Sequence, residues 1–451
     1  MINLLIDNAF KYISVFIYIY LIYWSGINYL YEVWNYWGFN YELGMNIYNS
    51  FFICFIFIFI QPIIPSKLDT PSSVAINYLY YIVFIPTIVL TLLQVNFYEY
   101  ISELIALCIG FILIVAITKS SRDKLKLSIK NNKETSINLP NNFIVFFGFV
   151  LCFIYFLFTK SSLIGNFSLL DVYLQRELGA ANSAIEGYLQ TWFIGFFSTG
   201  MIALGIVKKK FIFTLMGFSG FALVFLYTAQ RSVLILPLLL ILFIIGARIF
   251  KDNFKAIYIP LALSLIIIVF SLSISEPKDY AIDGNVLYFG AQNLVLFRLI
   301  GVPALLFSQY IDTFSYIGHT YFYHIKPFSM FIDIPIDRAY LDSWPGLGYI
   351  VSEFIYGDSE NNANANFFAS DGIASLGGTG VIIVSIILSL WLKTFDYLTK
   401  VRHADVQFFS IILLSQAFFL SNGPFSLILF SFGGLFWLAV LFLMNIKFKL
   451  R

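Results

Sequence analysis

Long apolar runs, broken by short polar turns, fill most of this chain. A bilayer core of roughly 30 Å needs about 20 apolar residues in a helix. Segments 9–28, 46–64, 76–95, 100–118, 142–159, 187–206, 211–228, 232–250, 256–275, 371–392, 406–421 and 425–446 meet that requirement, which predicts twelve transmembrane helices. Two polar stretches stand out between them. Residues 160–186 form the first large loop, and residues 276–370 form a second, much longer one. In the first loop, Ser168 stands three residues before Asp171, and Leu170, Leu174 and Leu178 recur at helical spacing before Gly179. This predicts a short amphipathic helix over 169–178 on the membrane surface. In the second loop the run Leu294-Val295-Leu296-Phe297 suggests a helix dipping back toward the bilayer, and Pro327, Pro335 and Pro345 interrupt the remainder of the loop. No internal repeat is visible, which weighs against an inverted-repeat transporter.

Composition agrees with this pattern. Hydrophobic residues make up 60% of the chain and charged residues 12%, about half the charged share of a soluble protein. These values predict an all-α integral membrane protein forming a single polytopic domain over 1–451. The N-terminal run has Asp7 before Lys11 and no small-residue cleavage site, so it is expected to be kept as a span. With the N-terminus inside, 20 of the 27 lysines and arginines fall on the cytoplasmic side. Both termini are then cytoplasmic and both large loops lie outside. The net charge of +2 reflects this topology and gives no reason to expect nucleic acid. Cys54, Cys108 and Cys152 all lie in spans, so they make neither a disulfide framework nor a metal set.

Candidate chemistry gathers on the outer side. Arg231 opens an apolar helix where positive charge is disfavoured, so a functional role competes with snorkelling to the headgroups. Arg176, Arg298 and Arg338 share that side. A guanidinium is planar, two-pronged and permanently charged, so four of them suggest an anionic ligand such as pyrophosphate. Ion pairing within the loops explains the last three equally well. His319 and His324 are five residues apart, the wrong step for one helix face, and no metal-ligand pattern surrounds them. Among the outer acids, Glu353 and Asp371 flank an asparagine-rich run. Asn364 and Asn366, with Trp344 nearby, suit sugar binding through paired amide groups and flat apolar faces; a flexible polar linker is the ordinary alternative. The small residues Gly372, Ser375, Gly377, Gly378 and Gly380 predict close helix packing that draws the preceding loop toward the bundle.

The chain resembles the O-antigen polymerase family, the oligosaccharide repeat-unit polymerases of bacterial surface polysaccharide assembly, from about residue 140 onward. Arg176 and Gly187, with ten residues between them, match an arginine–glycine spacing found in loops of some members. Gln309 and Tyr349 stand where Arg298 and Arg338 would need glycine, so the second loop departs from that pattern. Gln230-Arg231-Ser232 and the stretch from Asn364 through Asp371-Gly372 to Gly380 resemble two further family features. The resemblance implies a membrane glycosyltransferase of the C-type fold in the bacterial inner membrane. Its substrates would be oligosaccharides on undecaprenyl pyrophosphate at the periplasmic face, and it would use no cofactor and no metal. Its arginines would hold the pyrophosphate; with the residues read above, this makes Arg231, Glu353 and Asp371 the catalytic candidates and Arg176, Arg298, Arg338, Asn364, Asn366 and Trp344 the substrate-binding ones. A chain-length regulator and a flippase would be partners. An O-antigen ligase shares the architecture, but its histidine–glycine spacing fails here, because Met330 and Pro335 stand at the positions needed. A flippase would be expected to have two similar halves and short loops.

Overall fold

A computed structural model describes residues 2–41, 47–131, 139, 142–165, 172–179, 183–250, 254–271, 292–325, 346–358, 362–363 and 366–444. Among these residues, nine helices are long and apolar enough to cross a membrane. Eight coincide with expected spans: α1 (Ala9–Trp37), α3 (Pro71–Thr91), α4 (Phe97–Lys126), α5 (Asn142–Thr159), α6 (Ile185–Val207), α7 (Phe211–Thr228), α8 (Arg231–Phe250) and α12 (Ser370–Val401). The ninth, α10 (Val295–Ile317), lies inside the stretch read as the second loop.

The other expected spans are shorter. Helices α2 (Ile47–Ile60) and α9 (Tyr258–Ser271) each have 14 residues, and α13 (Val406–Leu420) has 15. At 1.5 Å per residue these fall well short of a 30 Å core. The last apolar run splits into Phe425–Phe430 and α14 (Gly434–Leu443), because Gly433 adopts a left-handed φ of 84° between them. Helix α13 is buried from Phe408 to Leu420. Wrapped in protein rather than lipid, it need not match the bilayer thickness. The protein is a multi-pass α-helical membrane protein.

Helices α4 and α12 form the most extensive helix pair. They run parallel in one register, since Gly378 lies over Ser102 to Ala106 and Gly110 lies over Val381 and Ser385. Small side chains let the two backbones approach. Helix α3 is wholly buried and is tied to the far end of α12. There the Ser72 N–H donates to Asp396 Oδ1 at 3.1 Å, and the Ser72 hydroxyl donates to Oδ2. A carboxylate at the first turn of a helix meets unpaired N–H groups and the favourable end of the dipole.

Lys126 pairs with Asp69 at 3.2 Å at that far end, and the main chains of Lys67 and Lys255 form an isolated antiparallel β-bridge. Helix α10 lies across the opposite end. Gln292, just before it, donates to the Phe270 carbonyl at 2.9 Å, and Phe297 packs on Trp34 with ring centroids 4.5 Å apart. Ser308 accepts from Gln94 at 3.0 Å, and Asp312 accepts from the Tyr100 hydroxyl at 3.1 Å. These partners sit where α1, α3 and α9 finish and α4 begins. Helix α10 is therefore apolar because it is packed over the helix ends, and a test of length and hydropathy alone cannot tell it from a span.

Helix α12 is broken near its start. Leu376 and Gly377 leave helical geometry, Gly377 with φ 59° and ψ −138°. Residues 370–375 turn back alongside the helix, and the Gly372 and Gly380 main chains touch. A Cβ on Gly380 would clash with the Gly372 carbonyl oxygen. The small-sided start of this helix does pack closely, and it brings the preceding residues into the bundle. Carbonyls freed at the break are capped by the 318–325 segment: Thr320 N–H donates to Ala374 O at 2.8 Å, and Tyr321 N–H donates to Ser375 O at 3.1 Å.

Gly380→Ala is expected to lower unfolding stability by about 1–3 kcal/mol through overpacking against this fold-back. Gly346→Ala, where a new methyl group meets only the edge of Tyr349 at 3.9 Å, should leave stability unchanged. Equilibrium unfolding of both variants in mixed micelles checks the contrast.

Candidate functional site

The folded-back segment carries Asp371 into the protein, where it is 1% exposed. A buried carboxylate is costly unless its lone pairs are filled. Here Ser426 N–H donates to Oδ2 at 2.7 Å, the Ser426 hydroxyl donates to Oδ1 at 3.1 Å, and His324 Nε2 lies 3.1 Å from Oδ1. His324 Nδ1 lies 2.7 Å from the Thr320 hydroxyl. The tautomer that satisfies this set carries its proton on Nε2 and accepts from Thr320 at Nδ1. The left-handed residues Tyr321 and Phe322, at φ 51° and 66°, curl the chain so that Thr320 and His324 meet. Asp371 thus anchors the 318–325 turn, and its oxygens are occupied.

His319 begins that turn. Its Nδ1 is buried and has no hydrogen-bond partner among the described residues. A Cβ on Gly377 would lie 3.5 Å from His319 Nε2 and 3.6 Å from Glu103 Oε1, so imidazole and carboxylate meet the same glycine. Glu103 also accepts from the Ser102 hydroxyl at 2.5 Å. Asn366, five residues before Asp371, is 1% exposed and donates through Nδ2 to the Tyr310 hydroxyl, while its Oδ1 has no partner among the described residues. Among the described residues, no group of three or more His, Cys, Asp or Glu side chains has the arrangement of a metal site.

The arginines divide. Arg176 lies in the short helix Val172–Leu178, where a surface helix was expected. Its Nε and Nη2 both reach the Ala229 carbonyl at 3.4 Å. Gln175 beside it donates to Leu226 O at 2.8 Å and to Leu163 O at 3.1 Å. This helix therefore rests on the turn that leads into Arg231. Ala229, left-handed at φ 49°, makes that turn, and Arg231 is the first residue of α8. The main chain of Arg231 is described; its side chain lies outside what is described. Lys160 and Glu186 add a buried ion pair of 2.8 Å nearby.

Arg298 sits apart from that pair. It is exposed on α10 and lies 5.5 Å from the centroid of Phe297, which packs toward α1. Glu353 is exposed on α11 (Leu347–Tyr356) and is not one of the groups bonded to Asp371. Arg338, Trp344 and Asn364 lie outside the described residues. The sequence therefore named Asp371 and Asn366, which the fold brings to one place. It gave no signal for Ser426, and it hid Glu103 inside an apolar span. His324 failed the local spacing test because its partner is 47 positions away.

No family model, curated protein or solved structure matches this chain. A functional reading accordingly rests on the chemistry of the site.

Asp371→Leu should leave His324 Nε2 and the Ser426 N–H without an acceptor, costing about 1–3 kcal/mol for each. Ser426→Ala removes a single donor and should cost only about 1 kcal/mol. Unfolding measurements on the two purified variants check the order.

Proposed function

We propose that the protein is a membrane-embedded glycosyltransferase that polymerises oligosaccharide units carried on a polyprenyl pyrophosphate, in the bacterial inner membrane and at its outer face. The observation that carries this reading is His319. It combines an unpartnered buried ring nitrogen with a neighbouring carboxylate, Glu103, at a helix break inside the bundle. Imidazole is the side chain best suited to take a proton near neutral pH, and a carboxylate orients it and steadies its charged form.

In the proposed reaction, an acceptor sugar hydroxyl attacks the anomeric carbon of the donor chain. The new glycosidic bond forms as the bond from that carbon to the pyrophosphate oxygen breaks. His319 takes the hydroxyl proton, and the lipid pyrophosphate leaves with the electron pair. Arg176 and Arg231 would hold the departing anion. Asp371 and His324 act as positioning residues, because their bonds hold the turn that presents His319. Glu353 has no role in this scheme, and Arg298 lies on a different element from the other two arginines.

His319→Ala is expected to reduce polymer formation by about 10²–10⁴-fold, with normal protein abundance in the membrane. The readout is chain elongation from lipid-linked units by protein in proteoliposomes. Wild-type elongation by His319→Ala would remove the base from this scheme. Deletion of the gene should leave surface glycolipid with at most one repeat unit. Full-length polymer accumulating on the lipid carrier instead would identify a ligase.

A further inference from the structure

A second feature at the same end of the bundle lies outside the proton-transfer group. A cleft of about 510 Å³ opens where the end of α1, the turn after α3, the first turn of α4 and the middle of α10 meet. This volume falls within the range of ~300–1,000 Å³ typical of ligand sites.

The lining is unusual for an apolar protein. Asn40, Gln94, Asn96, Ser308 and Gln309 present amides and a hydroxyl, and among the described lining residues none is basic. Gln94 and Ser308 are held in place by their mutual bond of 3.0 Å. Gln309 is fixed through Nε2, which donates to Trp37 O at 3.0 Å and to the Tyr356 hydroxyl at 2.5 Å. Its Oε1 is left without a partner among the described residues, although the residue is only 4% exposed. The one charged residue among the described lining residues, Asp312, accepts from the Tyr100 hydroxyl at 3.1 Å. At the rim, Trp37 and Tyr356 pack edge to face with centroids 5.3 Å apart, and both are more than a third exposed.

We infer that this cleft is a binding subsite for an uncharged oligosaccharide; the inference rests on the glycosyltransferase reading and names the substrate's chemistry. Amide groups offer a donor and an acceptor side by side, which matches neighbouring sugar hydroxyls. Exposed aromatic faces take the apolar C–H face of a pyranose ring. Phosphate or uronate groups would meet the Asp312 carboxylate and no compensating cation among the described lining residues. The cleft also adjoins the proposed chemistry. Tyr100 lines it, and Glu103 stands three residues later on α4 beside His319. A glycan seated here would have its end near the base.

The test uses the full-length protein in nanodiscs, with maltotriose and tri-N-acetylchitotriose as neutral probes and trigalacturonate as the anionic one, read by saturation-transfer NMR. At least one neutral trisaccharide should bind, and the anionic probe should bind at least tenfold more weakly. Gln309→Leu should weaken neutral binding by at least tenfold. Asn40→Ala and Asn96→Ala, at exposed lining positions that cost the fold little, should each weaken it by at least threefold. Failure of both neutral probes, stronger binding of trigalacturonate, or wild-type binding by all three variants would overturn the inference. The two readings fail separately. Loss of elongation in His319→Ala with sugar binding insensitive to the cleft variants sinks only the subsite. Cleft-dependent sugar binding with wild-type elongation by His319→Ala sinks only the proposed chemistry.

Discussion

A carboxylate buried inside an apolar bundle must have its lone pairs filled, and Asp371 shows how much of this structure depends on that requirement. It can be reached by donors only because residues 370–375 fold back, and they fold back only because Gly372 and Gly380 allow the backbones to touch. The fold-back frees carbonyls, which Thr320 and Tyr321 cap. The same turn supplies His324 to the carboxylate, while the segment after α13 supplies Ser426. One charge thus ties together the broken helix, the end of α10 and the C-terminal part of the bundle. Such a site is strong when complete and costly when one member is lost.

That arrangement gives the functional reading its physical content. Arg176 and the Arg231 turn lie on one side of the loop-bearing end, and the α10 cleft lies on another side of it. The 318–325 turn is held firmly enough to present His319 between Gly377 and Glu103. A reaction in which a glycan hydroxyl displaces a lipid pyrophosphate needs an acceptor site, a proton acceptor and cations for the leaving group, and these features are candidates for each.

Much of the fold was legible in the sequence where the physics is local. Hydropathy over a window reports burial in an apolar phase, so eight of the nine membrane-length helices among the described residues fell on expected spans. The ninth, α10, lies within the second loop as expected, and it is as apolar as a span because packing over helix ends and immersion in lipid select the same residues. The runs expected at 406–421 and 425–446 form shorter helices, the first sheathed by protein and the second interrupted at Gly433. The glycines around 372–380 correctly signalled close approach. The site was legible only in fragments. Asp371, Asn366, Arg176 and Arg231 carry chemistry that stands out against an apolar background. Their partners are set by tertiary contacts: Ser426 lies 55 positions from Asp371, and Glu103 reads as part of a span. Glu353 stood out equally, yet it is exposed on α11 and does not join the buried set.

Asp371 and His324 act as a bonded pair that holds the turn in place. A double-mutant cycle on the full-length protein tests it most directly, using Asp371→Asn, His324→Ala and the combination, with unfolding free energy measured for each. The bonded pair predicts that the double variant is less destabilised than the sum of the single ones, with a coupling of about 1–3 kcal/mol. Additive losses, with coupling near zero, would contradict it.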